Sequence, residues 1–229
     1  MMFRNNRLRA FLWYATALVV FCCGSIIAAR HYPAGFDWHY TVASALASQK
    51  HNPAGSNWFA GALSLSMLLL WPYLLLLKKE LTAPLPGIAR FSFAALHTGL
   101  LSGAALGLER LFIRDLSAWI YKAHEILGLL TFSGLFIGIL CLLIYAMLQS
   151  RIYAFLALFV ASPLVAISIT QFWLYIEQRN LGWVDTSWRE MGIPLWISFA
   201  FWQWLAIAAL WIGLGLLVFT CIAKNRTRT

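Results

Sequence analysis

The sequence predicts an all-α membrane protein, a polytopic bundle of six transmembrane helices with a structured first extracytoplasmic loop. Six long apolar runs divide the 229-residue chain, and about 20 apolar residues suffice for a helix to cross the hydrocarbon core of a bilayer. In composition, 62% of the residues are hydrophobic and 11% are charged, whereas about 25% are charged in a typical soluble domain. No segment between the runs is long enough for a soluble domain, so residues 1–229 are expected to form one integral membrane domain.

The predicted helices cover approximately residues 10–29, 58–77, 91–112, 119–149, 152–177 and 196–223. The first is expected to be retained rather than cleaved as a signal peptide, because its apolar stretch is long and no clear A-x-A site follows it. Pro72 and Pro163 fall inside the second and fifth helices, a position that membrane helices tolerate. The short turn at Ile113–Ala118 makes the third and fourth helices an antiparallel hairpin, in which glycines such as Gly99 and Gly134 favour close packing.

The segment from residue 30 to residue 57 connects the first two predicted helices. It carries Pro-Ala-Gly twice, at Pro33–Gly35 and Pro53–Gly55, and both are turn signals. Between these turns, Trp38–Ser48 is predicted to form a short helix on the membrane surface. We therefore expect a structured loop over one end of the bundle.

The net charge of +9 indicates topology rather than nucleic-acid binding, because the charges lie at the helix ends. With the N-terminus inside, ten of the 17 Lys and Arg residues fall in the short inner segments, and Glu80 is their only acid. Positive charge concentrates on the cytoplasmic side of membrane proteins. Both termini are therefore predicted to be cytoplasmic, in a protein of the bacterial inner membrane.

The sequence predicts no cofactor and no metal site. His31, Asp37 and His39 are the most plausible ligands, but neither an H-E-x-x-H motif nor paired cysteines accompany them. His97 and His124 differ in depth by roughly 18 Å at 1.5 Å per residue, so they cannot share one haem iron. The four cysteines lie inside apolar runs and are expected to be buried thiols.

Acids and histidines gather near the outer end of the predicted bundle. In the predicted hairpin, Glu109 is level with His124, beside Glu125, and Gln171 lies near the outer end of the fifth helix. Ionisable groups inside a bilayer are costly and are functional candidates by default. The candidate ligand-binding residues, which lie in this polar band and in the loop above it, are Glu109, His124, Glu125, Gln171, Asp37, His39, Ser44 and Asn52.

Two interpretations of this polar band stay open. In one, the residues line a pocket that opens to the outer leaflet, with apolar walls and a polar ceiling that binds a membrane lipid. In the other, they lie at the water boundary and pair with cations such as Arg110 and Arg114. Among functions, the first alternative to lipid handling is a non-catalytic accessory subunit whose partner is another membrane protein. The second is a membrane-embedded hydrolase or metalloenzyme that uses His, Asp and Glu at the outer face, although no catalytic motif identifies its residues.

The first loop also carries a resemblance. The residues concerned are Phe36-Asp37-Trp38, Thr41–Ser48, Asn52–Gly55 and Gly61. Together with the helix count, they resemble the outer loop of uncharacterised prokaryotic six-helix proteins related to the DRAM/Frag-type membrane family. The chain departs from that pattern at Ala45 and Ala47, where Asp and Gly are more usual. The resemblance implies the six-helix fold and an association with membrane lipids, and it implies no reaction.

Overall fold

A computed structural model describes residues 2–33, 35–80, 87–113, 123–147, 152–178, 192 and 194–222. Within these ranges the chain is almost entirely helical and contains no strand. The all-α prediction is therefore confirmed for the described residues.

The described chain contains seven α-helices. They are α1 (Met2–Arg30), α2 (Ala43–Leu46), α3 (Ser56–Glu80), α4 (Gly87–Leu108), α5 (Ala123–Met147), α6 (Ile152–Gln178) and α7 (Phe199–Ile222). A π-helical turn, Glu109–Ile113, extends α4, and a 3₁₀ turn, Leu195–Ile197, precedes α7. Helix α1 begins eight residues earlier than predicted, because apolar content marks only the part of a helix that suits a bilayer, whereas helical backbone continues into polar residues.

Five helices of the described chain are long and apolar enough to cross a membrane. They are α1, α3, α4 with its π turn, α5 and α7. Helix α6 has 27 residues, and its side chains are described without a gap only over Ala154–Thr170, an apolar stretch too short to count as a span by itself. Residues 119–122, 148–149 and 223 of the predicted helices lie outside the described part of the chain.

The helices pack mainly in chain order, and α7 closes the bundle. Contacts run from α1 to α3, then to α4, α5, α6 and α7, and α7 also contacts α1, α3 and α5. Two tyrosines, the partly buried Tyr14 and the buried Tyr73, anchor α7 on the first helices. The Tyr14 hydroxyl donates to the Trp211 carbonyl at 2.8 Å, and the Tyr73 hydroxyl donates to the Leu214 carbonyl.

Helices α4 and α5 form the predicted hairpin and approach each other at Gly99 and Gly134. A Cβ atom at Gly134 would lie 2.7 Å from both the Ala95 carbonyl oxygen and the Gly99 nitrogen. Only glycine permits this backbone approach. The contact also fixes the relative height of the two helices, which brings the end of α4 beside the start of α5.

The loop between α1 and α3 folds onto the start of α7. The Ala43 nitrogen donates to Gln203 Oε1 at 2.9 Å, and the Trp204 indole donates to the Thr41 carbonyl at 3.0 Å. The loop is structured as predicted, but its helix is limited to Ala43–Leu46 instead of Trp38–Ser48. Residues 38–42 form turns instead. The backbone nitrogens of residues 39–41 donate hydrogen bonds to Asp37, and Trp204 of α7 donates to the Thr41 carbonyl.

The expectation of four buried thiols is wrong for the first helix. Cys22 and Cys23 are exposed on α1, and Cys141 on α5 is partly buried, whereas the side chain of Cys221 lies outside the described residues. An apolar run does not reveal which face of a helix meets the bilayer, and the small thiol suits either environment.

Candidate functional site

A cavity of about 440 Å³ lies between α1, α3, α4, α5 and α7, beneath the loop that contains α2. We call it the lower cavity. Its volume falls in the range of roughly 300–1,000 Å³ that is typical of small-molecule sites. Helix α6 contributes no described residue to its lining.

The walls of the lower cavity are apolar and partly aromatic. Phe21 contacts the rings of Phe59 and Trp211, with ring centroids 5.9 Å and 5.3 Å apart. On α5, the lining extends from His124 to Leu135, a length of about 16 Å at 1.5 Å per residue. This length matches one leaflet, because a bilayer's hydrocarbon core is about 30 Å thick.

Polar groups are concentrated at one end of the lower cavity, under the loop. Arg110 and His124 line this end, and Arg110 Nε donates to His124 Nδ1 at 3.0 Å. Glu109 Oε2 lies 3.3 Å from Arg110 Nε and 3.7 Å from His124 Nδ1. The three side chains therefore form one group, in which a nearly buried carboxylate backs the guanidinium.

The π turn that begins at Glu109 accompanies this arrangement. Side chains at adjacent positions of a regular α-helix do not face each other, yet Glu109 and Arg110 are in contact. Turns of this kind occur frequently at functional sites. Glu109 is 3% exposed, and its Oε2 accepts no hydrogen bond from the described residues.

The exposed lining residues show where the lower cavity meets its surroundings. Leu129 on α5 is 69% exposed and Phe199 on α7 is 37% exposed, and Glu125 is exposed beside them. These side chains belong to the two helices that flank one side of the cavity. Helices α5 and α7, which contact each other, therefore carry exposed side chains of the cavity lining.

No protein-family model, curated protein or solved structure gives a significant match to this chain. The resemblance to DRAM/Frag-type proteins consequently stays a prediction.

Four of the residues selected from the sequence meet at the polar end. Glu125 and Ser44 line the lower cavity together with His124, and Glu109 lies behind them in contact with His124. The predicted equal height of Glu109 and His124 is confirmed by their 3.7 Å separation. These residues adjoin a cavity, and Glu109 and His124 also contact Arg110; both interpretations of the polar band stay predictions.

The other predicted residues lie elsewhere. Asp37 and His39 are exposed and contact each other, with the His39 nitrogen donating to Asp37 Oδ1 at 2.8 Å. Asn52 is fully buried and donates to the carbonyls of Ala28 at 3.0 Å and Leu46 at 3.2 Å. Gln171 lies in α6, and its side chain is outside the described part of the structure.

The sequence reasoning missed two residues of the polar end as ligand candidates. The sequence predicts Arg110 only as a partner for acids, although it lines the lower cavity. Gln203 also lines the cavity, and its Oε1 accepts the hydrogen bond from Ala43. In the sequence, Gln203 is the lone amide of the apolar run that forms α7, and this position is a signal that could have identified it as a candidate.

Among the described residues, no group of three or more His, Cys, Asp or Glu side chains is placed to hold a metal ion. His97 is remote from the polar end, donates from Nδ1 to the Phe93 carbonyl at 2.6 Å and packs edge-on against Trp71. The chemistry that the site offers is therefore hydrogen bonding and charge at one end of an apolar shaft.

Proposed function

We propose that the protein is an integral membrane protein that binds a membrane lipid in the lower cavity. The acyl chain would occupy the apolar shaft, and the head would lie against Arg110, His124 and Ser44. The observation that carries this proposal is the amphipathic lining, with polar groups at one end of a shaft about as long as one leaflet is thick. An acyl chain is apolar along the same length and ends at a polar group.

Access to the cavity is proposed to be lateral, between α5 and α7. A lipid that moves between these helices need not leave the bilayer, because its chain stays in an apolar environment while its head stays at the level of Glu125 and Arg110. The exposed side chains of Leu129 and Phe199 support this route.

We further propose six spans, with α6 as the sixth. Helix α6 has 27 residues, which exceeds the approximately 20 needed to cross a bilayer. An even number of spans places both termini on one side, and the basic inner segments favour the cytoplasm. The α1–α3 loop and the polar end would then face the outer leaflet of a bacterial inner membrane.

Filling the cavity tests the proposal. A Cβ atom at Gly128 would meet no atom within 4 Å, and Gly128 lines the lower cavity. A Gly128→Trp variant should therefore fold and occupy the shaft. The control is Gly61→Trp, since Gly61 has equally open surroundings and lies outside the lining.

The measurement is native mass spectrometry of both variants and the unchanged protein, purified in a mild detergent. We expect one retained lipid-sized mass in the unchanged protein and in Gly61→Trp, and its loss in Gly128→Trp. Equal lipid retention by both variants would contradict a site in this cavity. A stoichiometric protein partner in place of any lipid would favour the accessory-subunit alternative.

A further inference from the structure

A second cavity, of about 330 Å³, lies above the first and under the α1–α3 loop. We call it the vestibule. Its polar lining residues are Tyr32, Ser44, Ser48, His51, Arg110 and His124. Ser44, Arg110 and His124 line both cavities, so the two spaces meet at these three side chains.

Arg110 is positioned to present donors at this junction. Its two polar contacts with described residues, to His124 and to Glu109, both use Nε. Within the described part of the chain, neither of these contacts is made through the terminal amino groups of the guanidinium. Their planar fork matches the paired oxygens of a phosphate. Glu109 holds the guanidinium from the buried side.

His124 contributes a second donor. An arginine Nε always carries a proton, so Nδ1 of His124 must accept the hydrogen bond between them. The proton of the neutral imidazole is consequently on Nε2. With the Ser44 hydroxyl, the junction therefore offers several donors to one group of acceptor oxygens.

The charges around the vestibule favour an anion. None of its described lining residues is acidic. Glu109 is 96% buried behind Arg110, since its side chain is 4% exposed, and Glu125 lines the lower cavity only. Asp37 lies in the loop but outside the lining, where it pairs with His39.

We infer that the vestibule binds the phosphate of a phospholipid head whose acyl chain occupies the lower cavity. This inference rests on the proposed function and adds the chemical class of the ligand. The phosphate lies at the junction, where Arg110, His124 and Ser44 contact it, and the chain continues from the same molecule into the shaft. A free phosphate has the same oxygens and no chain, so the two sources can be separated.

The experiment compares three probes on the full-length protein in detergent: dioctanoyl phosphatidic acid, dioctanoylglycerol and inorganic phosphate. The two lipids differ only by the phosphate. We expect phosphatidic acid to bind about tenfold to a hundredfold more tightly than dioctanoylglycerol, as charge-assisted hydrogen bonds predict, and inorganic phosphate to bind more weakly than either lipid. Native mass spectrometry and microscale thermophoresis both report the dissociation constants.

The unexpected outcomes separate the two proposals. Equal binding of both lipids would overturn the phosphate site and leave the lipid cavity standing. Inorganic phosphate binding as tightly as phosphatidic acid would show that the acyl chain adds nothing, which overturns the phospholipid assignment and the proposed function. Failure of all three probes to bind would overturn both.

A double variant, Glu109→Gln with Arg110→Gln, assigns the preference to the junction. It removes both charges together, so no buried carboxylate is left without its cation. We expect the preference for phosphatidic acid over dioctanoylglycerol to fall below about threefold, because the lost contacts are the charge-assisted ones. The control, Lys50→Gln, removes an exposed charge of the loop that lies outside both linings and should keep the preference.

If the double variant is not recovered, Arg110→Lys replaces it. This variant keeps the positive charge but loses the planar fork, so it should lower the preference for phosphatidic acid partway. An undiminished preference in either variant would contradict the assignment.

Discussion

At the scale of single residues, Glu109 and Asn52 are both buried polar groups, but they have different surroundings. Asn52 makes hydrogen bonds with three backbone groups, the carbonyls of Ala28 and Leu46 and the nitrogen of Gly55. Glu109 instead lies beside Arg110 and His124 at the end of a cavity. Burial with complete hydrogen bonding indicates a structural role, whereas burial beside a cavity points to ligand chemistry.

Replacing Asn52 by alanine should lower the free energy of unfolding by about 1–3 kcal/mol, since buried backbone groups lose their partner. The matched control is Asn57→Ala, the same change at an exposed position near the start of α3, which should change stability by less than about 0.5 kcal/mol. Equilibrium unfolding with SDS in mixed micelles measures both. Equal effects would show that Asn52 does not join α1, α2 and α3.

The charges of Glu109 and Arg110 give a second test at this scale. Arg110→Gln should destabilise the protein more than Glu109→Gln, by roughly 1–3 kcal/mol, because it leaves a buried carboxylate without its cation. The arginine is 26% exposed at its side chain, so it tolerates the loss of its partner better. Thermal unfolding of both variants compares them, and equal destabilisation would indicate that Glu109 is not held as a charged partner of Arg110.

At the scale of elements, the hairpin of α4 and α5 determines where the site residues meet. The backbone contact between Gly99 and Gly134 sets the relative height of the two helices. About 15 Å from Gly134 along α5, the same pairing brings His124 beside the π turn that carries Glu109 and Arg110. Close packing in the middle of the hairpin therefore positions the polar end.

Two glycines on α5 should respond in opposite ways to alanine. Gly134→Ala would place a Cβ atom 2.7 Å from backbone atoms of α4, and overpacking of this kind costs typically 1–3 kcal/mol. Gly128→Ala meets no atom within 4 Å and should be neutral or stabilising, since alanine is the better helix former. The yield of monodisperse protein and its unfolding temperature compare the variants. Tolerance of Gly134→Ala would mean that the helices do not approach so closely.

At the scale of the whole molecule, the number of membrane crossings decides which faces meet water. Five described helices are long and apolar enough to cross a membrane, whereas the side chains of α6 are described without a gap only over Ala154–Thr170. Six crossings would place the termini on the same side, whereas five would place them on opposite sides. The orientation of the α1–α3 loop and of the vestibule follows from this count.

Reporter fusions test the crossing number in a bacterial host. Alkaline phosphatase, which is active only outside the cytoplasm, should be active after Lys50 and inactive after Lys79 and after Thr229. Green fluorescent protein should give the converse pattern. Active phosphatase after Thr229, with the other two fusions as expected, would reject six crossings and exclude α6 as a span.

The sequence by itself predicted the all-α class and indicated a membrane protein, because long apolar runs with few charges are typical of membrane-spanning helices. It also determined that Glu109 and His124 lie at one height, since a short turn leaves little freedom in the hairpin. Only the tertiary structure decided which faces line the cavity, including those of Gly128 and Gln203, and that Cys22 and Cys23 are exposed. The physical reason is that a bilayer and a protein interior are similarly apolar, so a helix that is hydrophobic on every side carries no signal of its own rotation. That rotation is set by packing between helices, by the backbone approach at Gly134 and by the loop that docks on α7.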